Sequence, residues 1–248
     1  MNQTDLFSGW VECRATLGKG AAEVLTALDE MRWAMPFELK GIDSDNGEEF
    51  INQHLERYCR KDGILRFRSR PYKKNDQAHI EQKNWTHVRK LIGWDRYDTQ
   101  SAVDAMNDLY RNEWRLFCNL YLPSVKLEKK LRVGSRIKRI YGKAKTPLDR
   151  LLESDQGDRV KLDQLSRLRE KTDPFELSAA VDRKVAAIWK LAAKANLQLG
   201  ARPARRPPWK IHRPDLYEMP TQVFLPMRNL TLDRIRKQWA WEGRLNSN

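Results

Sequence analysis

The chain has 248 residues, enough for one or two domains with a buried core. Lys and Arg number 47 against 33 Asp and Glu, giving a formal charge of +14. That excess points to a polyanionic partner, of which nucleic acid is the commonest. Cys13, Cys59 and Cys118 stand far apart, without the spacing of a zinc site. No apolar run is long enough for a membrane span or a secretion signal. These features exclude a disulfide-stapled secreted domain and a helical membrane protein, and they suit a reducing cytoplasm.

In chain order, "GWVECRATL" (9–17) has the composition of a strand, and the apolar spacing Val24, Leu25, Leu28, Met31 predicts a helix over 19–33 that Pro36 stops. "FELKGID" predicts a short buried strand. "EEFINQHLERYCRKDG" predicts an amphipathic helix with Phe50, Ile51, Leu55 and Cys59 inward and Gly63 at its end. "ILRFRSR" alternates as a strand does, and a helix is expected from about Gln77 to Ile92. This succession is an α/β pattern.

Beyond Gly93 the pattern becomes helical and basic. Val103, Met106, Tyr110, Trp114, Phe117 and Tyr121 form one apolar helix face. Asp173 is placed to cap a helix that opens on Pro174 and turns Leu177, Val181, Val185, Ile188 and Ala192 to one side. "ARPARRPPWKIHRP" after Gly200 is expected to be an extended linker, and Leu232, Ile235 and Trp239 suggest a helix in the tail that packs on a core or docks on a partner. The expected organisation is residues 1–97, 98–199 and 200–248. His54, His79, His87 and His212 show no ligand spacing and are expected on the surface or in packing.

Two basic runs stand out. Arg60–Lys74 holds seven Lys/Arg against Asp62, and Lys126–Lys145 holds nine against Glu128. Such density favours salt-sensitive phosphate contacts, although a solvated face has the same composition. "VGSRIKRIYG" within the second run is either a basic hairpin that contacts phosphates or an edge strand kept soluble by its charges.

Two-metal phosphoryl transfer needs carboxylates from separate elements converging on hard cations. Asp45 follows the strand "FELKGID", with Asn46-Gly47 allowing a sharp turn, and Glu81 stands in the first turn of the helix after the basic run. Alone, "DNG" is a common turn and a helical glutamate is commonly solvated. Together, "SDNGEEF" around Asp45 and "RPYKKNDQAHIEQKN" around Glu81, separated by 35 residues, resemble the catalytic core of insertion-sequence transposases of the retroviral-integrase type. The resemblance covers roughly residues 5–97, with a looser likeness over "NLYLPSVKLEKKLRVGSRIKRIYGKAKTPLDRLL".

It implies a ribonuclease-H-like α/β core followed by a mainly helical basic region, DNA transposition or integration by metal-dependent strand cleavage and joining, and Mg²⁺ or Mn²⁺ in a two-metal site. Asp45 and Glu81 would be the catalytic metal ligands. Tyr72, Gln77 and Asn84 match positions near the processed DNA strand, and Lys73, Lys74 and Lys83 are expected phosphate ligands. DNA is the implied partner, with a homo-oligomeric assembly and a cytoplasmic, nucleoid-associated location. Trp85 and Val88 stand where retroviral integrases carry DNA-contacting lysines; with Ile92 they are expected to pack the helix on the core. Asp5, with 39 residues between it and Asp45, imitates a first triad member. The family's first acid lies one strand earlier than "DLFSG", so Asp5 is expected to be structural, and the core to lack its opening strand. The alternatives are a non-catalytic DNA-binding remnant that competes with intact transposase, and a structure-selective nuclease of the same fold.

Overall fold

The computed structural model describes residues 1–44, 53–68 and 83–198. The elements are β1 (Asn2–Thr4), β2 (Val11–Cys13), α1 (Ala21–Ala34), β3 (Gly41–Ser44), α2 (Gln53–Lys61), β4 (Leu65–Arg68) and α3, a π-helical turn Trp85–Arg89 running into Lys90–Ile92. They continue with α4, Gln100–Leu109 followed by π-helical turns at Tyr110–Trp114 and Phe117–Tyr121, then β5 (Leu127–Val133), β6 (Arg136–Tyr141), α5 (Pro147–Leu152), α6 (Arg159–Lys171) and α7 (Pro174–Gln198). Met1–Pro123 and Ala144–Ala204 form one compact unit, and Ser124–Lys143, with the β5–β6 hairpin, belongs to a second. The expected boundary at 97/98 therefore falls inside the first unit. The tail helix and the Pro/Arg-rich segment lie outside the described residues.

β1 and β2 pair antiparallel, Thr4 opposite Val11 and Asn2 opposite Cys13. The expected 9–17 strand is thus shorter, and its partner is Asn2–Thr4, with "DLFSGW" as the connecting turn. Met1 and Arg14 also exchange backbone bonds, and the Asp5 N–H donates to the Trp10 carbonyl, which leaves Val11, Cys13 and Ala15 facing away from β1. Two asparagines of α4 take up that outer edge. Asn119 accepts from the Val11 N–H at 2.8 Å and donates to the Val11 carbonyl at 2.9 Å; Asn107 does the same for Ala15 at 2.9 and 3.0 Å. Each carboxamide presents the donor and acceptor a neighbouring strand would have offered.

A buried charge network locks β2 to the helices. Glu12 is 1% exposed; its Oε1 accepts from Trp10 Nε1 at 2.9 Å and Arg115 Nε at 2.6 Å. Arg14 lies 3.6 Å from Glu12 Oε2 and donates to Glu30 at 3.0 Å, and Glu30 also receives Arg111. Arg115 further donates to the Ala34 carbonyl and lies over the Trp10 ring. Trp10 itself packs with Met35, Leu120, Leu148, Leu151, Leu162 and Leu165 in one core cluster.

β3 and β4 pair parallel, from Gly41 opposite Leu65 to Ser44 opposite Arg68. Leu55 and Cys59 of α2 bury against Ile42, Ile64 and Leu28, as the amphipathic spacing predicts. Phe50 and Ile51 lie outside the described residues. Gly63, at φ +66°, lets the Ile64 N–H close onto the Cys59 carbonyl at 2.8 Å and turns α2 directly into β4. The predicted faces of α4 and α7 are largely the observed ones: Val103, Met106, Tyr110, Trp114 and Phe117 are buried, as are Leu177, Val181, Val185, Ile188 and Ala192, while Tyr121 is half-buried with its hydroxyl donating to the Arg169 and Thr172 carbonyls. Asp173 accepts the Phe175 N–H at 2.7 Å as the cap of α7. Lys184 of α7 bridges Asp108 and Glu113 of α4 at 2.6 and 2.7 Å.

Candidate functional site

Because β3 and β4 run parallel and in register, their C-terminal ends coincide. The chain leaves Ser44 into the segment holding Asp45, and leaves Arg68 into the basic run that leads to Glu81. In α/β sheets that end of the strands is where ligands gather. Asp45, Tyr72, Lys73, Lys74, Gln77 and Glu81 lie outside the described residues. Ser44 is buried at this end, and its hydroxyl has no hydrogen-bond partner among the described residues.

The carboxylate of Asp5 is occupied. Its Oδ2 accepts from the Ser8 backbone N–H and the Ser8 hydroxyl, both at 2.6 Å, and its backbone closes the turn through Trp10 and Gly9. Gly9 adopts φ +81°, the left-handed conformation this turn requires. Arg150 of α5 donates to the Ser8 carbonyl at 2.9 Å and fixes the turn to the helical layer.

Of the remaining expected contacts, Lys83 and Asn84 are described. Asn84 is exposed. Lys83 points inward: its amine lies 3.4 Å from His87 Nε2, and His87 Nδ1 lies 3.7 Å from Cys118 Sγ, an amine–imidazole–thiol chain beneath α3. Burial lowers the Lys83 pKa, pushes His87 down to about 3 and raises the Cys118 thiol well above its usual value. Cys13, also buried, is pushed up to about 12.

The helix face expected at Trp85, Val88 and Ile92 is corrected in part. Ile92 is buried, but Trp85 is 46% exposed, and His87 and Leu91 turn inward beside it. A π-helical turn carries more residues per turn than an α-helix, so the face rotates away from the three- and four-residue spacing. Trp85 instead meets Trp94, ring centroids 6.2 Å apart, and Arg89 lies over Trp94 at 4.4 Å. Trp189 of α7 donates to the Ile92 carbonyl at 2.8 Å and anchors the end of α3.

The neutral His87 sets an acid limit. The unfolded imidazole takes up a proton as pH falls through 6.5, and the folded one only near about 3. Between those values the unfolded chain binds more protons, so the contribution is present above 6.5 and is lost as pH falls, at up to ~1.4 kcal/mol per pH unit. Urea midpoints of wild type and His87→Gln, followed from neutral pH downward, are expected to converge. Parallel curves would mean that His87 does not titrate on unfolding.

The described residues thus define a mixed helix–strand protein whose parallel strand pair ends side by side at Ser44 and Arg68. Among them, no group of three or more His, Cys, Asp or Glu could hold a metal, and no helix is long and apolar enough to cross a membrane. No family model matches the chain. It is 40% identical, over 147 residues and 59% of its length, to "Uncharacterized protein y4rM" of Sinorhizobium fredii, and covers 42% of that protein. The chain thus spans less than half of this relative's length. Among solved structures it is similar to the HTLV-2 integrase catalytic core domain in complex with magnesium (trimeric form), with TM-score 0.36, 20% identity, 48% of this chain and 72% of that one covered. At that score the fold rests on the strands and helices described above.

Proposed function

We propose that the chain is a polynucleotidyl-transferase-type protein of the transposase/integrase kind, built on a ribonuclease-H-like core that acts on DNA ends. Asp45 and Glu81 are its metal-binding catalytic carboxylates, and Tyr72, Lys73, Lys74, Gln77 and Asn84 line the DNA path; Lys83, expected among them, turns its amine inward to His87 instead. The supporting observation is the parallel β3–β4 pair, in which Ser44 and Arg68 end side by side. The Asp45 motif and the basic run therefore start from one end of the sheet. An oxygen-only donor pair suits Mg²⁺ or Mn²⁺, which when bound would neutralise charge at the transferring phosphoryl group.

The reading is tested with labelled DNA ends and Mg²⁺ or Mn²⁺: any strand cleavage or joining by the chain is expected to depend on Asp45 and Glu81. Asp45→Asn and Glu81→Gln should each reduce turnover to background while leaving DNA binding in place. Turnover that survives both substitutions would sink the assignment. A second reading, non-catalytic binding in competition with an intact transposase, is favoured by Asp5, whose carboxylate is engaged by Ser8. Salt-dependent DNA binding without turnover in the wild type is its signature.

A further inference from the structure

We propose that the β5–β6 hairpin is a duplex-DNA-binding ribbon, a nucleic-acid contact separate from the Asp45/Glu81 site; it rests on the DNA-directed reading above for its choice of polyanion. The ribbon is antiparallel, with Lys130 opposite Arg139, Leu131 opposite Lys138, Arg132 opposite Ile137 and Val133 opposite Arg136. Gly134, at φ +63°, begins the two-residue loop that joins the strands with a turn matching their twist.

Side chains alternate between faces along each strand, so the register sorts the charges. Lys130, Arg132 and Arg139 share one face, and Lys129, Arg136 and Lys138 share the other. On either face, neighbouring basic positions along a strand repeat at about 6.6–6.8 Å, two residues of rise. All seven residues of β5 are exposed, and so are all of β6 except Ile140. None of the six basic side chains forms an ion pair with a described carboxylate. From Lys126 to Lys143 there are eight Lys/Arg against Glu128.

Three features select the occupant. The unneutralised charge selects a polyanion over an apolar or mixed protein surface. Charge on both faces suits a ligand that flanks the ribbon on two sides, as the two phosphate backbones of a major groove do, and such a groove admits a two-stranded ribbon. Single-strand binders present aromatic platforms for stacked bases; between 127 and 141 the ribbon has one aromatic residue, Tyr141. Leu131, Val133 and Ile137, exposed at 44%, 67% and 59%, would leave water when the ribbon docks. A bare two-stranded hairpin is only marginally stable, so docking would also consolidate the ribbon.

The test compares the full chain with Lys130→Ala/Arg132→Ala/Arg139→Ala, and with Arg167→Ala/Lys171→Ala/Arg183→Ala, which removes the same charge from exposed positions of α6 and α7. Binding to a fluorescent mixed-sequence duplex is titrated over a series of salt concentrations. The hairpin variant is expected to lower the slope of log affinity against log salt by about 2–3, roughly 0.9 per lost phosphate contact. The α6/α7 variant should keep the wild-type slope. Unchanged binding by the hairpin variant, or an equal loss in both variants, overturns the ribbon assignment. So does a wild-type preference for the single strand or for polyglutamate over the duplex. A wild type that binds no duplex removes the DNA-directed reading itself, whereas duplex binding that survives the hairpin substitutions removes the ribbon alone.

Discussion

Replacing Glu12 with glutamine is expected to destabilise the fold by about 3–5 kcal/mol, because it removes the one carboxylate among the described residues that Arg115 reaches inside the core. Glutamine keeps the shape and can still accept from Trp10 and Arg115, so the loss measures charge and not volume. Arg14 has a second carboxylate in Glu30; Arg115 is left with the Ala34 carbonyl and the Trp10 ring. In urea the midpoint should fall with the slope unchanged, and the melting temperature should drop by roughly 6–20 °C. The double variant Glu12→Leu/Arg115→Leu should recover most of this, since removing both members of a buried pair eliminates the orphaned charge. A single variant as stable as wild type would show that the network is solvated enough to be dispensable.

Asn119→Leu is expected to have an effect of similar size by a different route. The side chain is fully buried and satisfies both the N–H and the C=O of Val11. Leucine is close in volume and more apolar, yet it strands two buried backbone groups at about 1–3 kcal/mol each, roughly 2–6 kcal/mol in all. Asn107→Leu should cost less, because its bonds to Ala15 lie in a part-buried region. Thermal unfolding of the two variants side by side checks the order. A stabilised Asn119→Leu would mean that water or a neighbouring group reaches Val11.

The apolar rhythm of the long helices was legible because a single periodicity governs each: α7 buries the five residues its spacing predicts, behind the cap its Asp-Pro pair announces. The α1 and α2 helices and the β3 and β4 strands were legible for the same reason, with boundaries differing by a few residues. Less was legible wherever a long-range partner decides. Asp5 was expected to be structural, but the Ser8 bonds that occupy its carboxylate show only in the fold, and the short strand at Asn2–Thr4 is defined by its pairing with β2. The exposure of Trp85 was not legible because three- and four-residue spacing does not hold through a π-helical turn. Two signals were present and unused: Asn107 and Asn119 interrupt or flank the apolar stripe of α4, where a carboxamide calls for a buried backbone partner. Glu12, in a strand whose every residue is buried, calls likewise for a cation. For the candidate site, the carboxylate spacing and basic run were visible in the chain; what the fold adds is the shared end of β3 and β4.

The two asparagines also bear on how this protein behaves in a crowded cell. An outer strand normally offers its amide groups to any extended peptide that drifts past, and many aggregates begin this way. Here a helix already holds the groups of Val11 and Ala15, so β2 has no free rung at either residue on which a stranger could start. A side chain that completes the core also works as a lock against misassembly, and its loss would appear first as poor solubility.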